Sequence, residues 1–150
     1  MMSALVFKIK SYQELTVDEL YAILQLRSAV FVVEQDCAYQ DIDGKDTKAL
    51  HVLGYKEEIL IAYTRVFPPG AYFKQASIGR VVVLEKERAN TYGYDLMNTS
   101  IQAVKENYNT ATIKISAQTY LKRFYNNLGF KEIGKEYLED GIPHIGMIYE

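Results

Sequence analysis

The stretch from Ile78 to Met97 holds the residue types best suited to chemistry. A β-branched run, Ser77-Ile78-Gly79-Arg80-Val81-Val82-Val83, reads as a buried central strand. A charged turn, Glu85-Lys86-Glu87-Arg88, follows it, and a helix is expected from about Tyr92. The first backbone N–H groups of a helix lack internal partners and sit at the positive end of its dipole. A strand, a neck with Arg88 and small residues, and a helix start are together suited to holding a phosphate. Many α/β units share that pattern, so alone it names no ligand.

Three arginines stand where apolar residues are expected: Arg27, Arg65 and Arg80. An unpaired buried guanidinium is costly, so pairing with Glu34, Asp41 or Asp43 is one reading. Recognition of an acidic substrate group is the other. Glu34 follows an apolar helix, where partial desolvation would suit it to act as a base. A surface cap or a specificity contact accounts for it equally well.

Other motifs fail on inspection. Gly129 and Gly134-Lys135 match most of a P-loop, but Glu136 stands where a magnesium-holding Ser or Thr belongs, and helix and strand come in reversed order. Asp41, Asp43 and Asp46 around Gly44 suggest a calcium loop, yet that register puts Tyr39 at the required first aspartate. A solvated acidic turn is expected there instead. The sequon Asn98-Thr99-Ser100 lies inside a helical pattern and reads as accidental. His51 and His144 sit beside expected strands and read as packed, hydrogen-bonded histidines. With one cysteine, Cys37, and two histidines, no metal site is expected, and Cys37 reads as inert.

The elements that must position these residues follow from periodicity. Residues 4–10 read as a strand, and Thr16-Val17-Asp18-Glu19 is a capping box. It opens a helix in which Leu20, Ile23, Leu24, Arg27, Val30 and Phe31 recur at helical spacing. A polar loop, Asp36 to Lys48, leads to strands at 50–55 and 59–67, a hairpin around Lys56-Glu57-Glu58. A helix from about Tyr92 to Asn107, a strand at 111–117 and a helix from Gln118 to Asn127 ended by Gly129 come next. Strands near 130–138 and 143–149 flank Asp140-Gly141-Ile142. The order β-α-β-β-β-α-β-α-β-β is an α/β (α+β) pattern, a mixed sheet with helices packed on it.

At 150 residues and 49% hydrophobic content, a single domain spanning 1–150 is expected, burying roughly 70% of the unfolded surface. Seventeen basic against nineteen acidic residues give a net charge of −2, which supplies no electrostatic case for nucleic acid. No stretch approaches the ~20 apolar residues of a membrane span. The start, Met1 to Lys8, becomes charged too soon for a signal peptide. A cytoplasmic protein is the expectation.

Taken together, the motifs resemble a known family. Ile78 to Val83, then Arg88-Ala89-Asn90-Thr91-Tyr92-Gly93, then Leu96-Met97, is similar to motif A of the GNAT superfamily of acyl-CoA-dependent N-acetyltransferases. Ala117 to Leu121, with Phe124-Tyr125-Asn126-Asn127-Leu128-Gly129-Phe130, resembles its motif B. Leu26 to Gln35, Tyr39 to Gly44 and Asp140 to His144 are similar to the ElaA-type branch. One departure concerns the loop that holds the pyrophosphate. Thr91 replaces a glycine that would let the backbone approach closely, although it keeps its N–H and adds a hydroxyl donor.

The resemblance implies a mostly antiparallel mixed sheet, with splayed fourth and fifth strands and helices on both faces. It implies acetyl-CoA as co-substrate, an amine as acceptor and no metal, and it leaves room for a homodimer. The coenzyme would be held by Val81, Val82, Val83, Arg88, Ala89, Asn90, Thr91, Tyr92, Gly93 and Gln118. The pantetheine arm would pair with the free edge of the strand ending at Val83, and N–H groups there would hold the thioester oxygen. Tyr125 falls on the family's motif B tyrosine, the acid that protonates the departing thiolate. Without the resemblance, a core aromatic is the simpler reading of Tyr125. A non-catalytic acyl-CoA-binding module of the same fold is the alternative that Thr91 suggests.

Overall fold

The capping box at Thr16 forms as its spacing implies. The Glu19 N–H donates to the Thr16 hydroxyl at 3.1 Å, while the Thr16 N–H donates to the Glu19 carboxylate at 2.9 Å. It starts helix α1, Val17–Arg27, in the computed structural model, which describes residues 5–150. The expected helix through Phe31 is not uniform: Ser28–Glu34 widens into a π-helix, with the Gln35 N–H reaching back five residues to the Val30 carbonyl. Glu34 is the last residue of this wider turn and Gln35 caps it.

Seven strands alternate with the helices along the chain. They are β1 (Val6–Ser11), β2 (Leu50–Lys56), β3 (Ile59–Phe67), β4 (Ala76–Val83), β5 (Ile113–Gln118), β6 (Lys131–Glu139) and β7 (Ile142–Tyr149). Helix α2 spans Tyr92–Tyr108, and α3 spans Lys122–Leu128 after a 3-10 turn at Thr119–Leu121. The sheet runs β1-β2-β3-β4-β5-β7-β6, and every neighbouring pair is antiparallel except β4 and β5. The expected element order and mixed sheet are both present. Of the expected first strand, Ala4 lies outside the described residues.

Strand alternation sends side chains to two layers. On one face Val52, Ile61, Ala62, Ile78, Ile113 and Ile115 pack against Leu96, Met97, Ile101 and Val104 of α2 and Tyr125 of α3. On the other face Leu53, Tyr63 and Val82 meet Ile23, Leu26, Val30 and Phe31. Helices therefore cover both faces. Burying the stripe of α2 stabilises the fold on the scale of ~1.5–3 kcal/mol per large side chain. No helix among the described residues is long and apolar enough to cross a membrane.

Candidate active site

β4 and β5 pair only at their starts, Ala76 with Ile113 and Ser77 with Lys114. Beyond Ser77 the two strands separate, and a crevice opens toward their C-terminal ends. The cause lies partly in β4. Its register against β3 slips between the pairs Tyr63↔Val82 and Arg65↔Gly79, a bulge in which Arg80 takes a left-handed φ of 49°. The Leu84 N–H donates to Ile61 of β3, so the neighbouring Val83 presents its polar groups to the crevice. Its carbonyl accepts from Arg88 Nε at 2.8 Å.

Two cavities meet in this crevice. A groove of about 350 Å³ is lined by Val81, Val82, Val83, Arg88, Asn90 and Gly93, with Glu34 and Phe124 on its walls. A second cavity of about 120 Å³ lies toward Phe73, Arg80, Ser116, Glu139 and His144. Phe31, Gln35, Val81, Gln118, Leu121 and Tyr125 line both. Gln35 donates its side-chain amide to Gln118 at 3.4 Å across the junction. The splay thus joins an extended groove to a smaller chamber at one point.

Tyr125 stands at that point because α3 ends in a fixed way. Gly129 caps the helix at φ 106°, with its N–H on Asn126 O, and the Phe130 N–H returns to Tyr125 O at 3.0 Å. Phe124 and Phe130 flank the Tyr125 ring edge-on, at centroid distances of 5.0 and 5.9 Å. Burial pushes the phenol above its ordinary range, and Tyr120 adds to the shift. The group therefore stays protonated at neutral pH, as a proton donor must.

The coenzyme residues expected from sequence divide by position. Val81, Val82, Val83, Arg88, Asn90, Gly93 and Gln118 line the groove, whereas Ala89, Thr91 and Tyr92 do not. The Tyr92 ring is buried in the core beneath α2, so only its backbone is available to a ligand. Thr91 precedes the first turn of α2 without a side-chain cap bond. Gly93 has a packing role as well: a Cβ there would stand 3.3 Å from the Phe124 ring, tight enough to shift the α2–α3 contact.

Glu34 is not the free carboxylate expected of a base. It receives two hydrogen bonds from Arg88, one of them at 2.8 Å, and this pairing raises the Arg88 pKa. The π-helix supplies the reach, because it carries Glu34 over the groove mouth. Glu34 and Val83 O together aim the Arg88 guanidinium along the groove wall. If the groove holds the CoA thioester that the motif resemblance implies, Arg88→Ala should weaken its binding by roughly 1–3 kcal/mol, the scale of a lost charge-assisted hydrogen bond. Calorimetric titration checks this; parent-like affinity would take Arg88 out of the coenzyme site.

The three arginines expected at a substrate are held by aspartates. Arg27, wholly buried, donates to Asp41 at 2.9 Å and Asp46 at 2.7 Å. Arg65, also buried, grips Asp43 with both terminal nitrogens and reaches Asp46 at 3.0 Å. Arg80 Nε lies 2.7 Å from Asp41 Oδ1, though poorly aligned with it, and Nη2 donates to Asp41 O at 3.1 Å. Pairing is thus what the geometry supports, and Arg27 lines neither cavity. The acidic loop is not a solvated turn: Asp41 and Asp46 are buried. Burial alone would raise the Asp46 pKa, but hydrogen bonds from Arg27 and Arg65 outweigh it and lower the value.

Sequence reasoning missed Gln35, Phe124 and Asp46 as positioning residues. The first two lie inside motif blocks that were already visible, but no local signal marked Asp46. His51 is the packed histidine expected. Its Nε2 donates to Asp46 O at 2.9 Å and its Nδ1 accepts from the Tyr63 hydroxyl at 2.6 Å.

A splayed parallel pair with helix-covered faces and a groove leading to a buried tyrosine defines an acyl-CoA N-acyltransferase fold. Comparison with known proteins agrees. Residues 10–150 match the acetyltransferase (GNAT) domain family, and the chain belongs to that family. It is 43% identical to protein ElaA of Escherichia coli over 141 residues, 93% of this chain and 92% of that protein. The crystal structure of Escherichia coli ElaA superposes with a TM-score of 0.91 at 40% identity, over 97% of this chain and 99% of that one. An acyl-CoA N-acyltransferase from Pseudomonas aeruginosa matches with a TM-score of 0.89 at 39% identity, over the same shares.

Proposed function

We propose that the protein transfers an acetyl group from acetyl-CoA to an amine. The observation that carries this reading is the single junction between the two cavities, with Tyr125 on the walls of both. In this arrangement the long groove takes the pantetheine arm, and the chamber takes the acceptor. Backbone N–H groups after the β4 bulge are suited to the developing oxyanion, since fixed donors there need no reorganisation as charge builds. The α2 N-terminus and Arg88 suit the pyrophosphate.

On this reading the reaction runs in two stages. The amine nitrogen attacks the thioester carbon, and the carbonyl oxygen gains negative charge beside the β4 amides. As the intermediate collapses, the C–S bond breaks, Tyr125 supplies a proton to sulfur, and the nitrogen releases one proton in its place. Titration calorimetry with acetyl-CoA, followed by thiol release across a library of amines, tests the reading. Binding and amine-dependent thiol release are expected. Binding with no release would leave an acyl-CoA-sensing module, and no binding at millimolar concentration would remove both.

A further inference from the structure

His144 was expected to be a packed histidine, yet its surroundings equip it for proton transfer. Its Nδ1 lies 2.7 Å from the Ile142 carbonyl. A carbonyl can only accept, so Nδ1 carries the hydrogen and the neutral ring keeps its lone pair on Nε2. Nε2 has no hydrogen bond of its own among the described residues, and Glu139 Oε2 lies 3.7 Å from it. His51 is the useful contrast, because both of its nitrogens are bonded inside the core.

The imidazole is also held in orientation. The Asp140-Gly141 turn, with φ of 52° and 77°, folds β7 back on β6. The register set by that turn, Glu139↔Ile142 and Leu138↔Pro143, places Tyr137 opposite His144, and the two rings stack at 6.1 Å with a 23° tilt. The Tyr137 hydroxyl bonds Ser116, whose Oγ donates to Glu139 at 3.1 Å. Carbonyl, stacked ring and anchored carboxylate together fix the ring that lines the acceptor chamber.

The charge of the chamber points the same way. Arg65 and Arg80 on its wall are matched by Asp41, Asp43 and Asp46, leaving Glu139 and Asp140 without a lysine or arginine partner among the described residues. We propose that this chamber takes the acceptor as an ammonium ion, with Glu139 beside it, and that His144 Nε2 removes its proton before attack. The proposal rests on the acyl-transfer reading. In balance, the nitrogen sheds two protons. The first goes to His144 and is released to water after turnover. The second leaves once the C–N bond has formed and replaces the proton that Tyr125 gives to the thiolate. Glu139, 3.7 Å from that same nitrogen, stabilises the transient imidazolium by its charge, while the Ile142 carbonyl orients the ring through Nδ1.

The ionisable groups that share the chamber with His144 are Cys37, Tyr39, Arg65, Tyr72, Arg80, Tyr125, Glu139 and Asp140, and Tyr137 stacks on its ring. A pH profile must therefore be read against a variant. His144→Asn keeps an N–H for the Ile142 carbonyl and removes the base. With an alkylamine acceptor at neutral pH, kcat/KM for the amine should fall roughly 10²–10⁴-fold, with acetyl-CoA affinity and Tm unchanged. The deficit should shrink about tenfold per pH unit on raising the pH, as free amine becomes available. A weakly basic acceptor such as hydroxylamine, already neutral, should show little deficit. Nitrogen-15 NMR of the parent should report the Nδ1–H tautomer of His144. Equal rates for parent and His144→Asn, or the Nε2–H tautomer, would overturn this proposal alone. No transfer by the parent to any amine would overturn the acyl-transfer reading and this one with it.

Discussion

Tyr125→Phe should lower the turnover rate by roughly 10²–10⁴-fold, the usual contribution of a positioned acid or base. Phenylalanine keeps the ring between Phe124 and Phe130, so the edge-on contacts at 5.0 and 5.9 Å survive. Only the hydroxyl is lost, and the proton donation proposed for it matters mainly as the thiolate departs. Acetyl-CoA affinity and Tm should therefore stay near those of the parent. Tyr125→Ala behaves differently: it opens a cavity in the core and should cost ~3–5 kcal/mol of stability, as large aromatic truncations do. Turnover at saturating acetyl-CoA with a working amine decides the matter. A parent-like rate for Tyr125→Phe would leave the tyrosine with packing alone.

The largest effect on stability is expected at Asp46. Its carboxylate accepts from Arg27 at 2.7 Å and from Arg65 at 3.0 Å, both guanidiniums being buried. Asp46→Ala leaves two desolvated cations short of a counter-charge. Breaking a buried pair in that way costs ~3–5 kcal/mol, which at this chain length lowers Tm by roughly 6–20 °C. The pH dependence has a definite sign. Arg65 and Arg27 hold the Asp43 and Asp46 pKa values below the ordinary range despite burial. Their stabilisation is thus fully present above about pH 4, the unfolded carboxylate range, and fades as pH falls through the lowered native values. Thermal melts of parent and Asp46→Ala should differ most at neutral pH and converge in acid. A gap unchanged at pH 2 would show that the loss is not electrostatic.

Sequence patterns reached some of these residues and not others, for physical reasons. The packing of Tyr125 was legible because its setting is local: a short helix, a Gly129 cap and flanking Phe124 and Phe130 all lie within a few residues, whereas its catalytic reading came only from the family resemblance. Arg27, Arg65 and Arg80 announced themselves by breaking apolar periodicity, and pairing was a reading their burial cost already suggested. Asp46 gave no such sign. An aspartate in a polar loop looks solvated until the fold closes that loop over two arginines.

The sequence by itself determined the order and kind of the elements and the family membership that the GNAT match bears out. These depend on spacing over a few residues, where helical and strand periods, caps and turns act directly. By contrast, the π-helix at Ser28–Glu34 and the 3-10 turn at Thr119–Leu121 stand where plain helix was expected. The tertiary structure alone decided which charge meets which. Glu34 and Arg88 are 54 residues apart, and Arg27 and Asp46 are 19 apart. The tautomers of His51 and His144 were settled in the same way, by carbonyl groups whose positions depend on the loop path and the strand register. A side chain's titration and bonding follow its three-dimensional neighbours, which only the sheet register and the packing of helices across it select.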